Sequence, residues 1–426
     1  MPADGPVAII LAAGQGSRMR SSRAKVLHEA CGLPLIRYVV DTARAAGVRH
    51  ILVVVGVGAD EVRAALAGDP DVGFAVQADQ RGTGHAVKAC REALQGYKGP
   101  ALVLVGDEPL LRPEGLSRLL GLQKSEGAAC VLGTAEVADP TGFGRILRDT
   151  AGGFLRIIEQ RDCTPEQARI AEINPSCYVF ELPLLWDALD RLGTSNAQGE
   201  EYLTDAPAIL QDMGHKVVAL RALDADEVLG VNTRQHLAQV HEVLQRRIQD
   251  RLMTAGVSIV DPRNTYIDGR AEIGPDTTIL PFTVIQGRVR IGRDCRVGPF
   301  THLRDGTVLD DRTEVGAFVE VNRSHFAPGA RARHLAYLGD AELGPGANIG
   351  AGAITANFDG HRKHPTEIGP NALIGAGSVL IAPVEIGEGA TVGAGAVVTG
   401  RTSVAAGTTV VGVPARSLDG ERSGPP

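Results

Sequence analysis

A period of six residues constrains this chain more than anything else in it. Aliphatic residues stand at Ile273, Ile279, Ile285, Ile291, Val297, Leu303, Leu309, Val315 and Val321, and again at Ile368, Ile374, Leu380, Ile386, Val392, Val398, Val404 and Val410. Neither the 3.6-residue period of a helix nor the alternation of a half-buried strand gives that spacing. A parallel β-helix does, because each hexapeptide lays down one face and each coil stacks its aliphatic residues on the coil below. Phe282, Phe300 and Phe318 lie eighteen residues apart, so a three-sided prism with an eighteen-residue coil puts them in one column. Ordinary antiparallel strands would alternate and turn back every 8 to 12 residues or so, which this segment does not do. Glycine follows many of the aliphatic positions, at Gly274, Gly292, Gly298, Gly316, Gly369, Gly375, Gly387 and Gly393. There we expect a tight corner that needs permissive φ.

The repeat breaks twice. Insertions into a solenoid leave it as loops on one face, often the binding face. The break from Asn322 to Glu342 places His334 and Tyr337 on such a loop, and the break after Thr355 carries Asn357, Phe358, Asp359 and Lys363.

From Val7 to about Leu229 the pattern differs. Short apolar runs (Val7 to Leu11, Ile51 to Val55, Phe74 to Gln77, Ala101 to Val105, Cys130 to Gly133) alternate with amphipathic stretches. The run Ile51 to Val55 is apolar at every position, as a strand covered on both faces requires. The expectation is an α/β, Rossmann-like unit with a mostly parallel sheet over 1–230. A connecting helix follows over 231–256, with an apolar stripe at Leu237, Val240, Leu244, Ile248 and Leu252, and then the β-helix over 257–426.

Composition narrows the partners. With 43 basic and 50 acidic residues the net charge is −7, which offers no attraction to nucleic acid or anionic lipid. No run reaches the roughly 18 apolar residues of a membrane span, and the start carries no basic leader. The six cysteines form no CxxC pair, so they read as buried apolar residues in a reducing, cytoplasmic setting.

Chemistry enters at the ends of two strands. Leu11, Ala12, Ala13 and Gly14, continuing through Gln15-Gly16-Ser17-Arg18-Met19, make a glycine-containing turn after the first strand. Such a turn either presents backbone N–H groups to phosphate or simply reverses the chain. It is not a dinucleotide fingerprint, since Met19 stands where the third Gly is needed, and no Gly-Lys-Ser/Thr makes it a Walker loop. Arg18 and Lys25 are either solvated surface charges or the cations that neutralise a triphosphate and its departing pyrophosphate. Asp107, in Gly106-Asp107-Glu108-Pro109, ends the strand Ala101 to Val105, where ligands gather in open α/β sheets. It is either a turn cap or a carboxylate for Mg²⁺, which takes one or two protein oxygens plus phosphate oxygens.

These segments, with Gln77-Ala-Asp-Gln-Arg-Gly82-Thr83-Gly-His, Pro140-Thr-Gly-Phe-Gly144-Arg, Asn196-Ala-Gln-Gly-Glu and Gly230-Val-Asn232, resemble the successive motifs of the bacterial bifunctional GlmU family. In that family an N-acetylglucosamine-1-phosphate uridylyltransferase is fused to a glucosamine-1-phosphate acetyltransferase. The resemblance runs from Val7 to about Ala415. It implies a GT-A-like nucleotidyltransferase domain, a left-handed β-helix, a homotrimer, and Mg²⁺, UTP and acetyl-CoA as the small molecules handled. Leu11 to Gly14 and Lys25 would contact nucleotide and phosphate, with Gln77, Gly82 and Thr83 on the uracil side. Asp107, next to Gly106, and Asn232 would bind Mg²⁺, while Gly144, Glu159 and Asn174 would line the N-acetylglucosamine pocket. Arg18 and Lys25 would stabilise the charge that develops on uridylyl transfer.

Acetyl transfer to an amine needs a base, and histidine suits that task at neutral pH. On its own His334 reads first as a surface or hydrogen-bonded structural residue. Within His334-Leu-Ala-Tyr337-Leu-Gly-Asp the resemblance makes it the base. It also places Arg304, Tyr337, Asn348, Asn357 and Lys363 around glucosamine-1-phosphate, and Ala351, Asn357, Phe358, Ala376 and Ala394 along acetyl-CoA. The chain departs from the family pattern at Ala24 (usually Pro), Asn322 (a phosphate-binding Lys), Phe358 (Tyr) and Gly412 (Arg). With the Asn322 cation lost, Arg323 is the neighbouring substitute. The alternatives are a uridylyltransferase whose β-helix is only a trimerisation stalk, or a nucleotidyltransferase for another sugar-1-phosphate.

Overall fold

The computed structural model describes residues 5–417, which divide after Val243 into two compact units. In the first, strand Val7–Leu11 is hydrogen-bonded in parallel to His50–Val55 on one side and Pro100–Val105 on the other. Val72–Val76 extends the sheet in parallel beyond His50–Val55. On the opposite side the ten-residue strand Glu172–Glu181 runs antiparallel between Pro100–Val105 and Cys130–Glu136, so the sheet is mixed. Sequence reasoning did not find this strand.

The all-apolar run near residue 51 behaves as expected. Ile51, Val53 and Val55 point into one buried cluster while Leu52 and Val54 point into the other, across the sheet. Helix Leu35–Ala45 covers the first cluster with Ile36, Val39, Val40 and Ala43, and helix Leu182–Leu189 covers the second. Leu11 pairs with Val54 and Val105, which brings the C-terminal ends of three strands to one edge.

Helix Arg234–Thr254 begins in the first unit and ends in the second. Of its apolar stripe, Val240, Leu244, Ile248 and Leu252 are buried. Within the second unit, Gln245 bonds both the N–H and the carbonyl of Ile267, at 3.0 and 2.6 Å. Gln249 donates to the carbonyls of Pro262 and Thr265, at 2.9 and 2.8 Å. These amides serve backbone groups of the first coil, which has no coil beneath it.

That unit is a three-sided parallel β-helix, consistent with the left-handed coil that the sequence implies. Three sheets of ten, eight and eight short strands run up its sides, the first opening with Ser258–Ile259, the second with Tyr266–Ile267 and the third with Glu272–Ile273. All the repeating aliphatic residues except Ile273 are buried. Phe282, Phe300 and Phe318 stack with ring centroids 4.8 and 5.1 Å apart, as their spacing predicts. They are 50, 46 and 59% exposed, and each holds a left-handed φ near 60°.

Two expectations are corrected. The first concerns the glycines after the aliphatic positions. Only Gly298 among them has positive φ. The others are needed because coil lies against coil: a Cβ on Gly375 would sit 2.5 Å from the Ala394 nitrogen, and one on Gly316 would sit 2.1 Å from the Arg333 oxygen. Left-handed φ falls elsewhere on the corners, for instance at Gly377 and Gly389.

The second concerns His334, which is on no loop. It ends the strand Arg331–His334 and pairs with Ala317, and Tyr337, expected on the same loop, instead opens the strand Tyr337–Gly339. The first break is a shortening: Val308 pairs with His325 and Glu320 with Tyr337, seventeen residues on instead of eighteen. Only the second break is an insertion, closed by a bridge between Phe358 and Lys363. Phe326 and Leu343 take the inward places that the six-residue count had lost.

Gly387 tests the close-approach explanation, since a Cβ there would lie 2.5 Å from the Ala406 nitrogen at ordinary φ. Gly387→Ala is expected to destabilise the β-helix by about 1–3 kcal/mol, as overpacking does, measured as a lowered midpoint of thermal unfolding.

Candidate functional site

The first site is assembled at the strand ends. The N–H of Gly106 donates to the Leu11 carbonyl at 2.9 Å, and that of Val231 to the Asp107 carbonyl at 2.9 Å. This brings the turn after residue 11, the Asp107 loop and Asn232 together. The Lys25 ammonium donates to the Asp107 carboxylate in a short contact and to Asn232 Oδ1 at 3.1 Å. Arg18 donates to the same Asn232 oxygen at 2.9 Å. Gly16 is what admits Lys25, since a Cβ there, at φ 59°, would come 2.7 Å from the lysine Cβ. Four sequence-predicted residues from three separated segments thus meet.

Leu11, Ala12, Ala13, Gly14, Lys25, Gln77, Gly82, Thr83 and Asp107 line one cleft of about 280 Å³. Gln80, which the sequence reading did not single out, lines it too and donates to the Ala13 carbonyl at 2.7 Å. A turn-holding amide of this kind leaves no trace in motif spacing.

Asp107 and Asn232 supply one carboxylate and one amide oxygen, both hard donors, and both already face a cation, the Lys25 ammonium. That donor set fits Mg²⁺, which completes its shell with water and phosphate oxygens. Burial pushes the neighbouring Glu108 carboxyl well above the ordinary range, and the Asp107 charge adds to the shift.

Gly144, Glu159 and Asn174 also come together. Gly144 and Asn174 are direct cross-strand partners, and a Cβ on Gly144 would lie 3.6 Å from the carbonyl of Ile158, next to Glu159. The Asn174 amide donates to the Tyr178 hydroxyl at 2.7 Å while its buried Oδ1 has no partner. Burial raises the Glu159 carboxyl, against the opposing hydrogen bond from Thr204. Arg145, almost wholly buried, ties this region down. It donates to the Ala168 carbonyl at 3.1 Å, to Gln160 Oε1 at 2.8 Å and to the Phe143 carbonyl. The sequence showed an arginine after Gly144 but not that it faces inward.

In the second unit, register places His334, Ala351, Ala376 and Ala394 in one column on successive coils, since Ala332 pairs with Ile349, Ile349 with Ile374 and Ile374 with Val392. Strands stack about 4.8 Å apart, so the imidazole heads a shallow strip of small side chains. Asn348 is on the same sheet. A groove of about 200 Å³ runs the other way from His334, past Ala317, Gly316 and Pro299.

Tyr337, Asn357 and Lys363 gather at the next corner of the prism instead. A Cβ on Gly339 would lie 2.5 Å from the Asn357 amide and 2.7 Å from the Tyr337 hydroxyl, so those two groups meet over it. The Asn357 amide donates to Asp340, and Lys363 adds its charge nearby. Although burial opposes it, the bonds from Arg323 and Asn357 hold the Asp340 carboxyl below its ordinary range. Asp340 was not singled out from the sequence, yet it organises this corner. Arg323, the substitute for the missing lysine, is committed to Asp340 through two bonds of 2.7 and 2.9 Å and to Asn322 at 2.9 Å. Arg304 donates to Glu320 at 2.9 Å. Phe358 is exposed on the insertion, and Gly412 lies in the last turn with φ 88°. His334 thus ends a strand of the first sheet, whereas Asn357 follows a strand of the second.

A profile of the MobA-like NTP transferase domain matches residues 8–199, and the bacterial transferase hexapeptide, six repeats long, matches residues 270–305 and 365–400. Curated relatives named bifunctional protein GlmU align along most of the chain. That of Pelobacter propionicus is 43% identical over 84% of this chain and 85% of its own. That of Syntrophotalea carbinolica is 43% identical over 86% of each, and that of Solibacter usitatus 44% over 88% of each. No helix among the described residues is long and apolar enough to cross a membrane.

Arg145→Ala would release the carbonyl of Ala168 and the Gln160 side chain together. Amide hydrogen exchange over residues 160–170 is expected to accelerate at least tenfold, a loss of about 1.4 kcal/mol or more for groups held by buried charged donors. Unchanged exchange there would show that the clamp is idle.

Proposed function

This chain belongs to the bifunctional GlmU family, and from that premise we propose that it makes UDP-N-acetylglucosamine at two separate sites. The β-helix transfers the acetyl group of acetyl-CoA to glucosamine-1-phosphate, and the α/β unit couples the product to UTP with release of pyrophosphate. The observation that carries the reading is the convergence of Lys25, Asp107, Asn232 and Arg18 beside the Leu11 to Gly14 turn.

In uridylyl transfer a phosphate oxygen of N-acetylglucosamine-1-phosphate attacks the α-phosphorus of UTP in line, and pyrophosphate leaves. Asp107 and Asn232 would hold Mg²⁺, which when bound supplies positive charge to the triphosphate. Lys25 and Arg18 neutralise the charge that moves onto the leaving pyrophosphate. Gly144, Glu159 and Asn174 orient the sugar, the orphaned Asn174 oxygen accepting one of its hydrogen bonds. Gln77, Gly82 and Thr83 receive the base.

In acetyl transfer His334 takes the proton of the glucosamine ammonium, the free amine adds to the thioester carbonyl, and CoA leaves as the thiol. Ala351, Ala376 and Ala394 let the cofactor lie close against the coils. His334 and Asn357 belong to different faces of the prism, and a neighbouring copy would complete the site, as in the homotrimer common among hexapeptide β-helices. Asn357, Tyr337, Lys363, Arg304 and Asn348 then hold the sugar phosphate. UTP and acetyl-CoA are cytoplasmic metabolites, and the enzyme works there.

One observation favours the second reading, uridylyl transfer with the β-helix as a stalk: Asn322 carries no charge, and Arg323 beside it is already paired to Asp340. Two variants separate the activities. Asp107→Ala is expected to lower pyrophosphate release from UTP by about 10²–10³, the cost of losing one fixed electrostatic partner, and to leave acetyl transfer intact. His334→Ala is expected to lower thiol release from acetyl-CoA with glucosamine-1-phosphate by about 10²–10⁴, leaving uridylyl transfer intact. Thiol release that is absent, or indifferent to His334, would establish the stalk.

A further inference from the structure

Gln77 lines the nucleotide cleft from a fixed position. It is 5% exposed, and its backbone N–H donates to the Val55 carbonyl at 2.8 Å. Its side-chain Nε2 faces two groups, the Gly82 carbonyl at 3.1 Å and His85 Nδ1 at 3.2 Å. A carbonyl only accepts, so the atom facing it is the NH₂ end of the amide. His85 Nδ1 must then accept as well, which makes the ring neutral with its proton on Nε2. Among the described residues no protein donor reaches Gln77 Oε1, and no protein acceptor takes the Gly82 N–H. The supports are stiff: a Cβ on Gly82 would meet the Glu201 oxygen at 2.5 Å, and Glu201 is bonded to Arg81 and Gly84, each at 2.8 Å.

We propose that His85 is a positioning residue for base selection: by accepting from Gln77 Nε2 it locks the amide so that Oε1 is presented to the cleft as an acceptor beside the Gly82 N–H donor. The inference rests on the nucleotide reading of this cleft and deepens it. Uracil matches that pair, because N3 carries a hydrogen and stands between two carbonyl oxygens. Cytosine at the same depth presents a lone pair at N3, which faces the lone pairs of Oε1. Without the imidazole only the Gly82 carbonyl holds the NH₂ end in place, and an amide that flips against that weaker restraint turns its NH₂ to the base, where it donates to cytosine N3 in place of accepting from uracil N3–H. The discrimination therefore depends on the group behind the glutamine as well as on the glutamine. His85 does not line the cleft, so it acts on the base only through Gln77.

The test is steady-state pyrophosphate release by the full chain with N-acetylglucosamine-1-phosphate and either UTP or CTP. His85→Ala is expected to lower the ratio of kcat/KM for UTP over CTP by about tenfold, the discrimination one hydrogen bond supplies. The loss should appear in KM for UTP, with kcat at saturating UTP little changed. His85→Asn, whose Oδ1 stands the same number of bonds from Cβ as Nδ1, is expected to restore the ratio. A role confined to packing would depress both nucleotides together and leave the ratio unmoved. That result in His85→Ala, with the ratio lost in Gln77→Ala, overturns the inference and leaves uridylyl transfer standing. An unaltered chain that releases no pyrophosphate from UTP overturns the nucleotide reading itself.

Discussion

Coils in the second half can stack only where nothing projects between them. The strands of each face are two to four residues long, far too short to be stable singly, and they persist because every coil is hydrogen-bonded to the next along three faces. At the corners the backbone of one turn rests on the next within the volume of a methyl group, as Gly316 against Arg333 and Gly387 against Ala406 show. Buried hydroxyls tighten the same joints: Thr277 donates to the Gly292 carbonyl at 2.8 Å and Thr301 to that of Gly316 at 2.7 Å. Everything attached to this unit inherits its spacing, including the column from His334 to Ala394.

The α/β unit solves a different problem. Its cleft gathers charged groups at the strand ends, and the central pair compensate one another. Lys25, Asp107, Asn232 and Arg18 form a chain of hydrogen bonds in which the half-buried Lys25 ammonium and Asp107 carboxylate compensate each other, while the exposed Arg18 rests on the neutral Asn232 amide. Glu108, immediately beside them, is driven toward its neutral form by burial and by the Asp107 charge. The region of Gly144 and Asn174 is arranged with the same economy, since Arg145 satisfies three backbone or amide acceptors from within the core.

Much of this was legible in the chain because it depends on period or on order. The six-residue repeat gave the prism, the eighteen-residue Phe spacing gave the coil length, and the all-apolar run at residues 51 to 55 gave a doubly covered strand. The meeting of Lys25, Asp107 and Asn232 followed from motif order once the family resemblance was recognised. What stayed hidden depends on geometry that no spacing encodes. Glycine at a corner looks the same whether it serves φ or close approach, and only the distance to Ala394 or Ala406 tells them apart. A one-residue shortening imitates an insertion, because either one breaks the count; hence His334 was expected on a loop and stands on a strand. The roles of Asp340, Arg145 and Gln80 arise from partners far off in sequence or from an inward-facing charge.

A stack of parallel coils has no natural end, since the outermost turn offers the same unpaired row of amides that recruits the next. Here the row beneath the first coil is occupied by the Gln245 and Gln249 side chains, and at the far end the strand Arg416–Ser417 folds back antiparallel on Val410 and Val411. The solenoid is thereby covered along one face at each pole. Its length is set by these plugs as much as by the number of repeats, and a molecule that lost either one would expose a growing tip for head-to-tail fibre formation.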